Sequence, residues 1–165
     1  MPDPFIFYNP LSNQAIPAYL CSYVIGDAIP ALPLAETNVL DEASYPGGSY
    51  SETALAASRE FTLNKTTGRL INNKAGTYRV FFNVEVENNS SQIRDVRLNF
   101  YTPLGPFPLE YDAVLQRLGD VTQIDADLVL DAPDNGEWYL TVEPKSGNAG
   151  DLAVDRTVFF AYRVG

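Results

Sequence analysis

Histidine is missing from this sequence of 165 residues, and cysteine occurs once, as Cys21. Without an imidazole the chain cannot build a Ser–His–Asp or Cys–His catalytic arrangement, because the general base is absent. One thiol is too few for the usual zinc sites, and Cys21 has no partner for a disulfide within the chain. A lone cysteine is typical of proteins made in a reducing cytosol. The sequence therefore predicts no catalytic residue, no metal and no cofactor. Catalysis by carboxylates alone is the one chemistry that these absences do not exclude.

Basic side chains are also scarce, because 11 Lys and Arg face 21 Asp and Glu, for a net charge of −10. Nucleic acid is excluded as a partner, since its binding is driven by Lys and Arg that neutralise phosphates. Residues 4–26 carry no charge, but prolines and amides interrupt them, so we predict no membrane span. The acidic first residues lack the basic region of a secretory signal.

Prolines and aromatic residues are concentrated in the first 35 residues. Proline at this density prevents helices and central strands, whereas a disordered tail is normally poor in aromatic residues. We therefore predict an extended N-terminal arm over residues 1–35 whose aromatic side chains bind a surface: Phe5, Phe7, Tyr8, Tyr19 and Tyr23. That surface is either the chain's own domain or a neighbouring subunit or another protein, and we expect the latter.

Residues 36–58 are predicted to form a connector, because Tyr45-Pro46-Gly47-Gly48-Ser49 is typical of a turn. Modest helical character is limited to residues 52–59 and 111–118. From residue 59 onward apolar and polar side chains alternate with a period of two, which indicates half-buried strands. Short strands separated by turns predict an all-β, antiparallel sandwich over residues 59–165.

Several aromatic side chains fall on strand faces that should be polar. In the last strand the alternation predicts Val158, Phe160 and Tyr162 in the core and Phe159 outside, whereas Trp138 is predicted in the core. Outward aromatic side chains need a cover. We predict a subunit interface that contains Phe81, Tyr101, Tyr139 and Phe159. A cover provided by the N-terminal arm is the alternative.

Acidic side chains cluster in one stretch: Asp120, Asp125, Asp127, Asp131, Asp134 and Glu137. Oxygen clusters of this kind bind hard cations such as calcium. Asp125, Asp127 and Asp131 alternate along a predicted strand, however, which is typical of a solvated face, and we expect no metal there. Two carboxylates hydrolyse a glycosidic bond only when they lie about 5–10 Å apart in a cleft, and no feature of the sequence predicts a cleft.

Short motifs in the second half of the chain resemble a known family. Phe61-Thr62-Leu63, Thr67-Gly68-Arg69-Leu70-Ile71 and Ala75-Gly76-Thr77-Tyr78 resemble the opening strands of complement globular-head and tumour-necrosis-factor-like domains. Thr157-Val158-Phe159-Phe160-Ala161-Tyr162 resembles the family's last strand. The resemblance covers about residues 55–165. It implies a ten-strand jelly-roll sandwich and a compact trimer, in which the Gly-x-Tyr strand and the last strand are neighbours on the sheet that meets the other subunits.

Within this family, small proteins without a secretory signal or a collagen stalk resemble bacteriophage virion proteins. The resemblance therefore implies a trimeric head-decoration (cement) protein that is not an enzyme. Its jelly roll would lie on the virion surface after assembly in the host cytoplasm, and its arm would bind the major capsid protein or another virion protein. The alternatives are a receptor- or glycan-binding tip of a tail fibre or spike and, less favoured, a carboxylate-dependent polysaccharide hydrolase.

Overall fold

The structure is a computed structural model of the chain. It describes the backbone of residues 6–8, 15–17, 20–56 and 61–164, and the side chains of residues 24–52 and 61–164. The described strands are β1 (Ile6–Tyr8), β2 (Ala15–Pro17), β3 (Leu20–Ile25), β4 (Thr37–Asn38), β5 (Glu52–Ala56), β6 (Phe61–Asn64), β7 (Arg69–Asn72), β8 (Gly76–Asn88), β9 (Arg94–Tyr101), β10 (Leu109–Leu115), β11 (Val121–Ala132), β12 (Gly136–Pro144) and β13 (Leu152–Arg163). Short 3₁₀ turns cover Glu42–Ser44 and Pro46–Gly48. Over the described residues, no helix is long and apolar enough to cross a membrane.

The strands form two antiparallel sheets and a separate pair. Sheet I has the order β11-β8-β13-β3-β5. Sheet II has the order β10-β9-β12-β7-β6, and β4 pairs with β12. β1 and β2 pair with each other, from Ile6 opposite Pro17 to Tyr8 opposite Ala15. The predicted all-β antiparallel sandwich is confirmed.

The core lies between the two sheets and is built by the predicted alternation. The inward residues of β8 are completely buried: Tyr78, Val80, Phe82, Val84 and Val86. Phe82 packs against Phe100 of β9 with ring centroids 4.9 Å apart, and Phe100 stacks on Trp138 at 6.0 Å. Each such aromatic or aliphatic side chain stabilises the fold by about 1.5–3 kcal/mol before chain entropy is subtracted.

Three segments that were predicted to lie outside strands belong to the sheets. β3 comes from the predicted arm and β5 from the predicted connector, and both lie in sheet I. The predicted boundaries at residues 35 and 58 therefore do not mark the start of the sandwich, because sheet I contains a strand from each of the two segments before them. β10 occupies most of residues 111–118, for which helical character was suggested. Pairing with neighbouring strands satisfies the backbone of these segments and overrides their weak local preferences.

Residues 36–51 of the predicted connector are packed onto the sandwich. Tyr45 and Tyr50 are buried, and their hydroxyl groups donate to the carbonyl oxygens of Val39 and Leu40, each at 2.7 Å. Burial raises the pKa of both tyrosines above its usual value, so both hydroxyls remain donors. This segment is a fixed part of the domain.

In the last strand, β13, the inward and outward side chains are the reverse of the prediction. Phe159 is 1% exposed and packs on Phe100 in the core, whereas Phe160 points outward. A β-bulge between Val154 and Arg156 shifts the pairing of β13 with β8. Apolar residues occupy both faces of β13, so the alternation alone did not determine which face is buried.

Candidate functional site

The outer face of sheet II is a polar surface crossed by ion pairs. Arg97 binds Asp112 at 2.7 Å and Glu110 at 2.8 Å, and both acidic residues lie on the neighbouring strand. On β12, Glu143 binds Lys145 at 3.1 Å. Exposed pairs of this kind stabilise a fold little, but they keep a sheet face hydrated. This face has the character of a surface that contacts water.

The outer face of sheet I is different, because across β11, β8 and β13 it contains an apolar hollow of about 450 Å³. The hollow is lined by Arg79 and Phe81 of β8, Asp127 of β11, and Val158, Phe160 and Tyr162 of β13. Phe81 and Phe160 are opposite each other on paired strands, and Phe160 touches Tyr162 edge-on at 5.7 Å. The long strands β8 and β13 pair over most of their length, which fixes these side chains next to one another.

The charges in the hollow neutralise each other. Arg79 donates to both carboxylate oxygens of Asp127, at 2.9 and 2.6 Å, and to the Tyr162 hydroxyl at 3.3 Å. The hydrogen bonds from Arg79 lower the pKa of Asp127, so the carboxylate is ionised at neutral pH. A fork-shaped pair of this kind can be covered by another surface without leaving an unpaired charge.

The structure separates the four predicted interface residues. Phe81 points outward and lines the hollow, whereas Phe159 lies in the core and is not available to a partner. Tyr101 and Tyr139 lie on sheet II, with nearly parallel rings 4.2 Å apart. Among the described side chains of sheet I, Phe160 and Tyr162 are the outward aromatic residues next to Phe81. The sequence prediction missed them because both faces of β13 are apolar.

Tyr101 and Tyr139 belong to a fixed cluster on the outer face of sheet II. The Arg69 guanidinium lies 3.4 Å from the centre of the Tyr139 ring, in a cation–π contact. The Glu36 carboxylate accepts from the Tyr101 hydroxyl at 2.9 Å and from the Thr141 hydroxyl at 3.1 Å. Burial, with help from Glu36, raises the pKa of Tyr101 to about 12. These contacts tie the loop before β4 to sheet II.

The five predicted arm residues are only partly described. Phe5 and Tyr19 lie outside the described residues. The backbone of Phe7 and Tyr8 lies in β1, and that of Tyr23 lies in β3 opposite Phe159. Tyr23 is therefore part of sheet I.

The acidic stretch is distributed over several separate contacts. Asp120 accepts from the amides of Gln116 and Arg117, Asp131 accepts from the Thr77 hydroxyl, and Asp134 accepts from the amide of Ala75. Among the described residues, no three His, Cys, Asp or Glu side chains are grouped so that they could hold a metal ion. The stretch therefore supplies turn contacts and charges on the edge strand β11, which discourage pairing with another sheet.

Comparison of the structure with solved structures identifies the fold. The globular domain of zebrafish complement 1qA protein matches with a TM-score of 0.52 at 14% identity, over 88% of this chain and 97% of that domain. Eiger TNF from S. frugiperda matches with a TM-score of 0.52 at 9% identity, over 88% of this chain and 93% of the other. No family model and no curated protein matches the sequence. The chain has a complement 1q/TNF-like jelly-roll fold, and the predicted resemblance is confirmed at the level of the fold.

Proposed function

We propose that this chain is a non-catalytic structural protein that forms a trimer through the outer face of sheet I. The observation that carries the proposal is the contrast between the two sheets. Sheet II has an outer face of ion pairs, whereas sheet I has an apolar hollow around Phe81 and Phe160. An apolar hollow in a sheet face is the kind of surface that a subunit interface buries. The fold supports the same arrangement, because the resemblance implies trimers that meet on this sheet.

Residues 1–19 are proposed to attach the trimer to a virus particle. Within them, β1 and β2 pair with each other, and a two-stranded hairpin is marginally stable without a surface to pack on. From Pro4 onward this segment has no charge, in a chain whose net charge is −10. Its aromatic residues Phe5, Phe7, Tyr8 and Tyr19 are suited to burial against another protein. Tyr23 is not included, because β3 holds it in sheet I.

The proposed partner is the major capsid protein, which makes the chain a head-decoration protein. Cyclic symmetry supports this role, since a closed trimer presents three identical segments towards the same side. Three weak contacts then act together and bind more tightly than one. The net negative charge of the exposed body favours solubility and disfavours nucleic acid.

Purified particles test this proposal directly. The protein should be present in many copies on the head, and the purified trimer should bind particles that were assembled without it. A few copies at the tail, together with binding to glycans or cells, would instead identify a tip of a fibre or spike. A protein that is absent from particles and does not bind them would refute the virion role.

A further inference from the structure

The loop between β9 and β10, residues 102–108, exposes apolar side chains at its tip. Phe107 is 85% exposed and Leu104 is 57% exposed. This loop lies in an uncharged run from Leu98 to Leu109. That run and residues 4–26 are the two longest uncharged runs of the chain. In a strongly acidic protein, an apolar tip without neighbouring charges is suited to contact with another molecule.

The topology places this loop at the end of the sandwich where residues 1–19 join it. We call this the β3 end, because β3 begins there with Leu20 opposite Tyr162. At the same end β11 finishes with Ala132 opposite Gly76, and β12 begins at Gly136 after three intervening residues. The ring of Pro103 lies directly against Gly136, so close that a Cβ there would be 2.7 Å from it. The two uncharged segments therefore share one end.

The loop is held firmly although its tip is exposed. At its start, Tyr101 is stacked on Tyr139 and donates to Glu36. The amide of Leu104 donates to the Thr102 hydroxyl at 3.3 Å. Pro103, Pro106 and Pro108 restrict the backbone, which lowers the entropy that is lost when the loop binds. Phe107 is thus presented by a loop that is already ordered.

We infer that Leu104 and Phe107 form a second attachment contact, which inserts into an apolar groove of the particle protein bound by residues 1–19. This inference rests on the proposed function. The two segments reach the partner from the same end, so one docking event buries both. Neither segment contains Lys or Arg, which favours an apolar protein groove over an anionic lipid surface, because such a surface attracts these residues.

The opposite end of the sandwich provides a matched control. There the loops after β8 and β10 expose Ile93 at 55% and Leu118 at 63%. Two double variants therefore change similar side chains at the two ends. Leu104→Ser/Phe107→Ser alters the β3 end, and Ile93→Ser/Leu118→Ser alters the opposite end. Because all four are exposed, both double variants should fold and assemble like the original protein.

The experiment measures binding of each variant to particles that lack the protein. We expect Leu104→Ser/Phe107→Ser to bind at least about tenfold more weakly, because a buried aromatic anchor is lost, and Ile93→Ser/Leu118→Ser to bind normally. A photo-crosslinking residue at position 107 should join to the particle protein, and one at position 118 should not.

Four results would overturn the inference. Normal binding by Leu104→Ser/Phe107→Ser would show that the loop is not an attachment contact, while the proposed function would stand. Crosslinks from position 107 only to other copies of the chain would identify the loop as part of the trimer. Insertion of Phe107 into phosphatidylcholine vesicles would identify a membrane contact. If the unmodified protein fails to bind particles, the proposed function fails and this inference fails with it.

Discussion

Glu36 joins polar groups from two strands on the outer face of sheet II. Its carboxylate accepts from Tyr101 and Asn99 of β9 and from Thr141 of β12. Asn99 is 2% exposed and Thr141 is 5% exposed. Asn99 also donates to the Thr141 hydroxyl, at 3.4 Å, but Glu36 is its nearer acceptor and is the acceptor for the Thr141 hydroxyl. The residue lies in the predicted connector, yet it stabilises the sheet.

Glu36→Ala should lower the free energy of unfolding by about 1–3 kcal/mol, because it leaves buried donors unsatisfied. Glu36→Gln should cost less, since its amide oxygen still accepts one bond. Urea denaturation of the two variants measures the difference. The control is Glu137→Ala, whose side chain is 59% exposed and lies 3.9 Å from Arg69, and which should change stability by about 0.5 kcal/mol or less. Equal effects of Glu36→Ala and Glu137→Ala would contradict this role.

Asp155 lies in the bulge of β13, where burial raises the pKa of its carboxyl group, with smaller contributions from Glu87 and Glu85. The folded state therefore holds this proton more tightly than the unfolded state does. As pH rises from below the unfolded pKa through the raised folded pKa, ionisation of Asp155 progressively destabilises the fold. The ionised carboxylate of Asp155 therefore destabilises the fold at neutral pH, whereas the protonated group at low pH does not.

Asp155→Asn should accordingly raise the melting temperature at about pH 7 and leave it nearly unchanged at about pH 3. Thermal unfolding followed by circular dichroism at both pH values measures this. Asp125→Asn, an exposed change on β11, removes the same charge and should have little effect at either pH. A lower melting temperature of Asp155→Asn at neutral pH would show that the carboxylate makes a contact that stabilises the fold.

At the scale of elements, β3 is the strand that links the start of the chain to the sandwich. It pairs with β13 from Leu20 to Ile25 and with β5 on its other side. Removing it would expose the edge of β13 and leave β5 without its partner. In the segment before it, the described strands β1 and β2 pair with each other in a separate two-stranded sheet.

Deletion of residues 1–19 should leave a folded, soluble trimer that no longer binds particles, because β3 is kept. Deletion of residues 1–25 should give an unstable or aggregating protein, since it removes β3 and frees an edge strand. Circular dichroism, light scattering and particle binding measure the three properties. Normal particle binding after deletion of residues 1–19 would refute the attachment role, and an intact fold after deletion of residues 1–25 would refute the structural role of β3.

The alternation of apolar and polar residues predicts those strands that bury just one of their two faces. The predicted period of two agrees with the burial of β8 and β9, which place Tyr78, Phe82 and Phe100 in the core. It failed for β13, where both faces are apolar, and for β3 and β5, which are fixed by pairing with distant parts of the chain. Local sequence contains little information about such long-range pairing.

At the scale of the whole molecule, the two outer faces differ in kind, and the sequence predicted only part of this difference. An outward Phe81 was expected, but Tyr101 and Tyr139 were placed in the same interface. The sheet to which a strand belongs is decided by topology, so two outward aromatic residues on different strands can lie on opposite sides of the sandwich. Only the register of β13 with β8 shows that Phe160 is the partner of Phe81.

Phe81→Glu with Phe160→Glu should convert the trimer into folded monomers, because it places charge in the centre of the apolar hollow while leaving the core intact. Multi-angle light scattering measures the mass, and circular dichroism confirms the fold. Val114→Glu, a single exposed change on the outer face of sheet II, should remain trimeric. Phe159→Glu, in contrast, should unfold the domain, since Phe159 is packed on Phe100. If Phe81→Glu/Phe160→Glu remains trimeric while Val114→Glu dissociates, the interface lies on sheet II, and the face through which copies assemble would have to be reassigned.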